Sequence, residues 1–234
     1  MLLEGILLSL FAGLAIPLGA CLARLNIFEE KWKKEEFKHS IIGFGAGALI
    51  AAISFVLIPD GAEKQPDWLV IATFITGGIT FMLTDIYLHR TQSKASNFIA
   101  MMLDFVPEAI VLGAIVVEDF KKAIFIAIII AAQNIPEGYA AFTEMKTRIK
   151  NQNKLIVLFI LTGITGPIYS LLGTTVFTNT PLVLGMIMSF CAGGILYLVF
   201  QDIAPRVSMK KSWLPPLGTI IGFTIGLIGY LYIK

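Results

Sequence analysis

The sequence predicts an all-α integral membrane protein of eight transmembrane helices, with helices 1–3 and 6–8 forming an inverted repeat around central helices 4 and 5. Three observations carry that prediction. Hydrophobic residues make up 56% of the 234 residues, and mean hydropathy is +0.81, above the range of soluble domains. Apolar runs of about 20 residues, long enough to cross ~30 Å of hydrocarbon at ~1.5 Å per residue, recur along the whole chain. Basic residues crowd into every second connection between those runs.

The runs fall at residues 2–23, 40–59, 68–88, 98–117, 122–142, 155–177, 182–204 and 213–233. Short connections separate them, so residues 1–234 are expected to form a single transmembrane domain. The first run ends in "LGAC", but it carries Glu4 and no Lys or Arg before Arg24. It is therefore expected to be a helix and not a cleaved lipoprotein signal. Connections after the first, third, fifth and seventh runs hold 14 of the 18 basic residues, among them Lys31, Lys94, Lys146 and Arg206. The bias of Lys and Arg toward cytoplasmic loops puts these connections inside and both termini outside the cell membrane.

A net charge of +2 gives no reason to expect a nucleic-acid partner. Cys21 and Cys191 lie far apart within apolar runs, so neither a disulfide framework nor a zinc motif is expected and both read as core packing. The repeat shows in "AGALIAAISFVLIP" at 46–59 and "AGGILYLVFQDIAP" at 192–205, each with a proline 13 residues after its first Ala. The two segments cross the membrane in opposite directions, as in secondary transporters built from inverted repeats.

Function is signalled by carboxylates inside the runs: Asp104 and Glu108 on the fourth, Glu137 on the fifth. Each costs about 2.5–3.5 kcal/mol at the bilayer centre if ionised and unpaired, and no Lys or Arg occupies the interior of any run. Such groups must be protonated, hydrogen-bonded or bound to a cation. "DFVPEA" at 104–109 and "QNIPEG" at 133–138 set Asp104 with Glu108, and Gln133 with Glu137, four residues apart on one helix face. Pro107 and Pro136 remove a backbone donor one residue before each glutamate, so both helices are expected to bend at the acidic pair.

"QNIPEG" and its flanks resemble the proline-glutamate motif of the ZIP (Zrt/Irt-like) divalent metal transporters, prokaryotic branch. "GFGAGALIAAISFVLIPDGAE", "ITGGITFMLTDIYLHR", "LTGITGPIYSLLG" and "AGGILYLVFQDIAP" are similar to its second, third, sixth and seventh helices. The resemblance implies a transporter, not an enzyme, moving zinc, iron, manganese or a similar divalent ion, with no prosthetic group. Its partners are the metal ion and the lipid bilayer, with a homodimer as a candidate assembly. It implies a metal site of Asp104, Glu108, Gln133 and Glu137. A second, adjacent metal position would use Asn134, but Phe105 and Gly166 stand where its other ligands would be, so one ion at a time is expected.

Three carboxylates, one amide and no imidazole make a hard donor set, suited to manganese, iron(II) or magnesium better than to zinc. His39 and His89, at cytoplasmic helix ends, read as solvated surface residues; Asp60 and Asp202, at opposite membrane faces, read as solvated helix ends, with vestibule residues as the alternative. Leu112 and Ile115 continue the acidic stripe of the fourth run outward as hydrocarbon, which predicts an outer gate. Rocking of the outer triplets against helices 4 and 5 would then alternate access. A non-transporting relative and an integral-membrane metal-dependent enzyme are the alternatives.

Overall fold

A computed structural model describes residues 1–25, 30–91 and 95–233. Lys94 and Lys234, two of the counted basic residues, lie outside these. Eight helices among the described residues are long and apolar enough to cross a membrane, and each stands over one predicted run. They are α1 Leu2–Arg24, α2 Lys31–Glu63, α3 Asp67–Arg90, α4 Ser96–Glu118, α5 Phe120–Met145, α6 Gln152–Asn179, α7 Pro181–Arg206 and α8 Leu214–Tyr232. Helix is the form these runs must take in hydrocarbon, because it satisfies every backbone polar group within the segment.

Boundaries depart from the hydropathy limits where polar chemistry extends or breaks a helix. α2 starts nine residues before its apolar run, and its charged first turns carry exposed ion pairs of Lys33 with Glu30 and of Lys38 with Glu35. α6 is two helical pieces, Gln152–Ile164 and Gly166–Thr175, followed by a 3₁₀ turn. The break falls just before Pro167, which supplies no backbone donor. α4 and α5 stay helical on both sides of Pro107 and Pro136. Asp119 caps α5 by accepting from the Lys122 amide at 3.1 Å, and Glu144 on α5 caps α4 by accepting from the amides of Ser96 and Asn97.

The inverted repeat extends to helix defects. α2 contains a π-helical stretch at Ile53–Leu57 and α7 one at Val199–Ile203, each beginning seven residues after the Ala that opens its copy of the repeat. Packing follows the same symmetry: α1 lies on α5 as α6 lies on α4, and α2 lies on α8 as α7 lies on α3. These contacts are backbone-close. A Cβ on Gly19 would strike the Ile135 carbonyl and one on Gly173 the Ile110 carbonyl; on Gly47 and Gly193 it would strike those of Thr219 and Phe74. Small residues that let helices touch are the usual means of helix association in membranes.

Two bodies result, α1/α4/α5/α6 and α2/α3/α7/α8. They meet along α2 and α5, where Gly45 faces the ring of Pro136. The repeat is a topological one of triplets, but the packed units mix helices from both triplets and the centre.

Candidate metal site

Asp104, Glu108, Gln133 and Glu137 all lie within the first body, on adjacent helices α4 and α5. The four-residue spacing turns each pair to one helix face, and the faces meet. Gln133 is fully buried and Asp104 and Glu108 nearly so. Gln133 Nε2 donates to both oxygens of Glu108 at 2.5 Å, and the three carboxylates are within electrostatic range of one another.

Much of this polar surface has no protein partner. Asp104 Oδ1, Gln133 Oε1 and both carboxylate oxygens of Glu137 are buried without a hydrogen bond. Buried acceptors in that condition are rare, because desolvating them costs free energy that nothing returns. Among the described residues, no three His, Cys, Asp or Glu side chains are gathered into a metal-holding group. Glu108 is tied to the Gln133 amide instead.

Asn134, the fifth residue the resemblance assigns, is fully buried, and its Oδ1 too has no hydrogen-bond partner. Its Nδ2 donates to the Ala12 carbonyl of α1 at 2.9 Å. Next to it the fully buried Phe105 ring packs so closely that a Cβ on Gly13 or on Gly166 would touch it. Of the positions the resemblance assigns to a second ion, one is filled by this aromatic ring and one is a glycine, which leaves the Asn134 oxygen as the one side-chain donor atom.

A narrow cavity of about 60 Å³ leads from Asp104 and Glu137, past Met101 and Ala140, to Asn97, Asp202 and Arg206 at the face bearing the basic connections. A second, polar cavity at that face is lined by Asp85, His89, Glu144 and again Asn97, Asp202 and Arg206. Toward the face of the termini Leu112, Ile115 and Val116 are buried on α4, and beside Glu108 there is only a void of about 10 Å³ lined by apolar side chains such as Val56, Val111 and Ile129.

Four residues depart from their sequence reading. Asp202 is a vestibule residue: it lines both cavities and pairs with Arg206 at 3.1 Å. The π-helical stretch that contains it, a feature concentrated at functional sites, leaves no mark in hydropathy. Asp60, its counterpart in reading, is only 3% exposed and pairs with Lys122 at 2.5 Å. His39 Nδ1 donates to the Arg206 carbonyl. Cys21 is exposed, whereas Cys191 is buried within electrostatic range of Asp104 and Glu108. Arg206, counted in the sequence only as a basic residue of a cytoplasmic connection, lines the cavity as well; the repeat places it opposite Asp60, 146 residues earlier.

Fold and cavity define a class: a multi-pass helical membrane protein whose inverted triplets enclose a buried, carboxylate-lined cavity open to one face. The chain belongs to the ZIP zinc transporter family, whose sequence model, described as "ZIP Zinc transporter", matches residues 92–234, more than half of the chain. It is similar to the zinc transporter ZupT of Nitratidesulfovibrio vulgaris, 25% identical over 85% of each chain. The ZupT proteins of Clostridium perfringens, 24% identical over 98% of this chain and 95% of the relative, and of Chlorobium phaeovibrioides, 25% identical over 98% of each, are similar throughout. Membership in a family of transporters sets aside the membrane-embedded enzyme.

Proposed function

We propose that this chain carries divalent cations across the cell membrane, one ion at a time, through a site formed by Asp104, Glu108, Gln133 and Glu137 between α4 and α5. The observation that carries this reading is the set of buried, unpartnered oxygens on Asp104, Gln133 and Glu137, with no Lys or Arg at their depth in α4 or α5. A cation is the group that satisfies them all. Its arrival would rotate the Gln133 amide, replacing the N–H groups that now face Glu108 with the free Oε1. Glu108 would then turn from accepting a hydrogen bond to ligating.

The basic connections favour a cytoplasmic placement of the open face, with both termini outside and the cavity facing inward. The bodies that move against each other are α1/α4/α5/α6, which holds the site, and α2/α3/α7/α8. Close glycine contacts within each body weigh against rocking of the sequence triplets, since parting α1 from α5 and α4 from α6 would lose that packing. The relatives are named zinc transporters, while the oxygen-only donor set favours manganese, iron(II) or magnesium.

A competition uptake assay in proteoliposomes, across manganese, iron(II), zinc, cobalt and magnesium, tests both the activity and the metal. The expected result is saturable flux of at least one of these ions, abolished by Glu137→Ala. If wild type and Glu137→Ala are alike in moving none, the protein is a non-transporting member of its family.

A further inference from the structure

We propose that Arg206 is a tethered cation that holds Asp202 at the inner mouth of the cavity until a divalent ion takes its place. This inference rests on the transport reading above. Asn97, Asp202 and Arg206 line both the deep cavity that holds Asp104 and Glu137 and the polar vestibule beyond it. They form the neck between the two.

The neck is held together by hydrogen bonds from three helices. Arg206 Nη2 pairs with Asp202 Oδ1 at 3.1 Å on α7, and Nη1 donates to Asn97 Oδ1 on α4 at 3.3 Å. Asn97 presents that oxygen because its Nδ2 donates to Glu144 on α5 at 2.7 Å. Glu144 is itself engaged in capping α4, Asp85 accepts from the Tyr197 hydroxyl at 3.2 Å, and His39 holds the Arg206 carbonyl. Asp202 is therefore the carboxylate an ion leaving Asp104 and Glu137 meets first, and the guanidinium already occupies it.

Arginine stays charged in proteins, so this closure opens by displacement and not by loss of a proton. Displacement is easy, because the Arg206 side chain is 43% exposed and Asp202 32%, and the guanidinium has water to swing into. The repeat supplies the contrast. Asp60, at the position equivalent to Arg206, is a buried carboxylate paired with the partly exposed Lys122 across the two bodies at the other membrane face, a less accessible pair.

Manganese(II) titration of the purified full-length protein in detergent, read by the loss of the free-ion electron paramagnetic resonance signal, tests the proposal. The wild type is expected to bind one ion. R206Q keeps a hydrogen-bonding side chain but not the charge, and gains a second, weaker ion as affinity at the neck rises about fivefold, the most that an ion pair so exposed carries. R206Q/D202N loses that second ion, and R206K titrates like the wild type.

If the wild type binds one ion and R206Q titrates identically, the inference falls while the transport reading stands. It falls equally if the second ion survives in R206Q/D202N or appears in R206K. If the wild type neither binds manganese nor moves any divalent ion into proteoliposomes, the transport reading fails and takes the inference with it.

Discussion

Gln133 on α5 spends its amide nitrogen on both oxygens of Glu108 on α4, and this contact joins the two helices that carry the buried carboxylates. Removing one partner strands the other. Gln133→Leu is expected to cost about 1–3 kcal/mol through an unpaired Glu108, whereas Gln133→Leu with Glu108→Leu should recover most of that loss. Thermal unfolding in detergent measures the stability and proteoliposome uptake the function. Flux should vanish in both variants, and a double variant no more stable than the single one would count against the pairing.

Asp60 and Lys122 lock the two bodies at the face of the termini. Lys122→Met leaves a carboxylate that is 3% exposed without its counter-charge, a change that costs ~3–5 kcal/mol at fully buried sites. Lys122 is 27% exposed, so the lower end applies, and Asp60→Leu in the same chain should restore the midpoint. The neighbouring pair of Lys64 with Glu118 is more exposed, and Glu118→Gln should change stability by no more than about 1 kcal/mol. Equal effects at the two pairs would contradict the difference in burial.

Gly47 and Gly193 occupy equivalent positions in the two copies of the repeat, and each meets a carbonyl of the helix it packs on. Alanine at either position should destabilise by about 1–3 kcal/mol through overpacking, and by a similar amount at both. An unchanged melting midpoint for either variant would mean that the helices approach less closely than described.

Accessibility distinguishes the open and closed halves of the pathway. In a background with Cys21 and Cys191 replaced by alanine, Ala140→Cys lines the deep cavity and should react quickly with a charged thiol reagent added at the basic face. Leu112→Cys, at a fully buried position, should react slowly. Rapid labelling of Leu112→Cys from the opposite face under every condition would rule out an outer gate there.

Metal binding should weaken as pH falls. Ligation requires the carboxylates in ionised form, so protons compete with the metal and are released when it binds. Manganese titrations in mildly alkaline and mildly acidic buffer should show affinity dropping toward acid, and a pH dye in weakly buffered solution should report acidification on metal addition. Affinity independent of pH would mean that these side chains do not hold the ion.

Much of the architecture was legible along the chain. Span number and placement follow from hydrocarbon thickness, the polar stripe from helix period, and the repeat from two segments of similar spelling. The outline of the candidate site was legible for the same reason: Asp104 with Glu108, and Gln133 with Glu137, share faces because four residues make about one turn. Asp60 was misread because a charge at a helix end is ordinarily solvated, and only Lys122 on a neighbouring helix decides otherwise, whereas Asp202 took the vestibule place that its position at a membrane face also allowed.

By itself, then, the sequence determined which segments cross the bilayer and which carboxylates lie within them. Those are local properties, set by insertion cost, helix geometry and side-chain chemistry. Tertiary structure alone decided that α1 joins α5 and α6 joins α4, that Asn134 turns to Ala12, that Lys122 neutralises Asp60, and that Arg206 guards Asp202. Each depends on which helix faces come within bonding distance. A hydrogen bond or ion pair needs a few ångströms between groups that are tens of residues apart, and only packing supplies that.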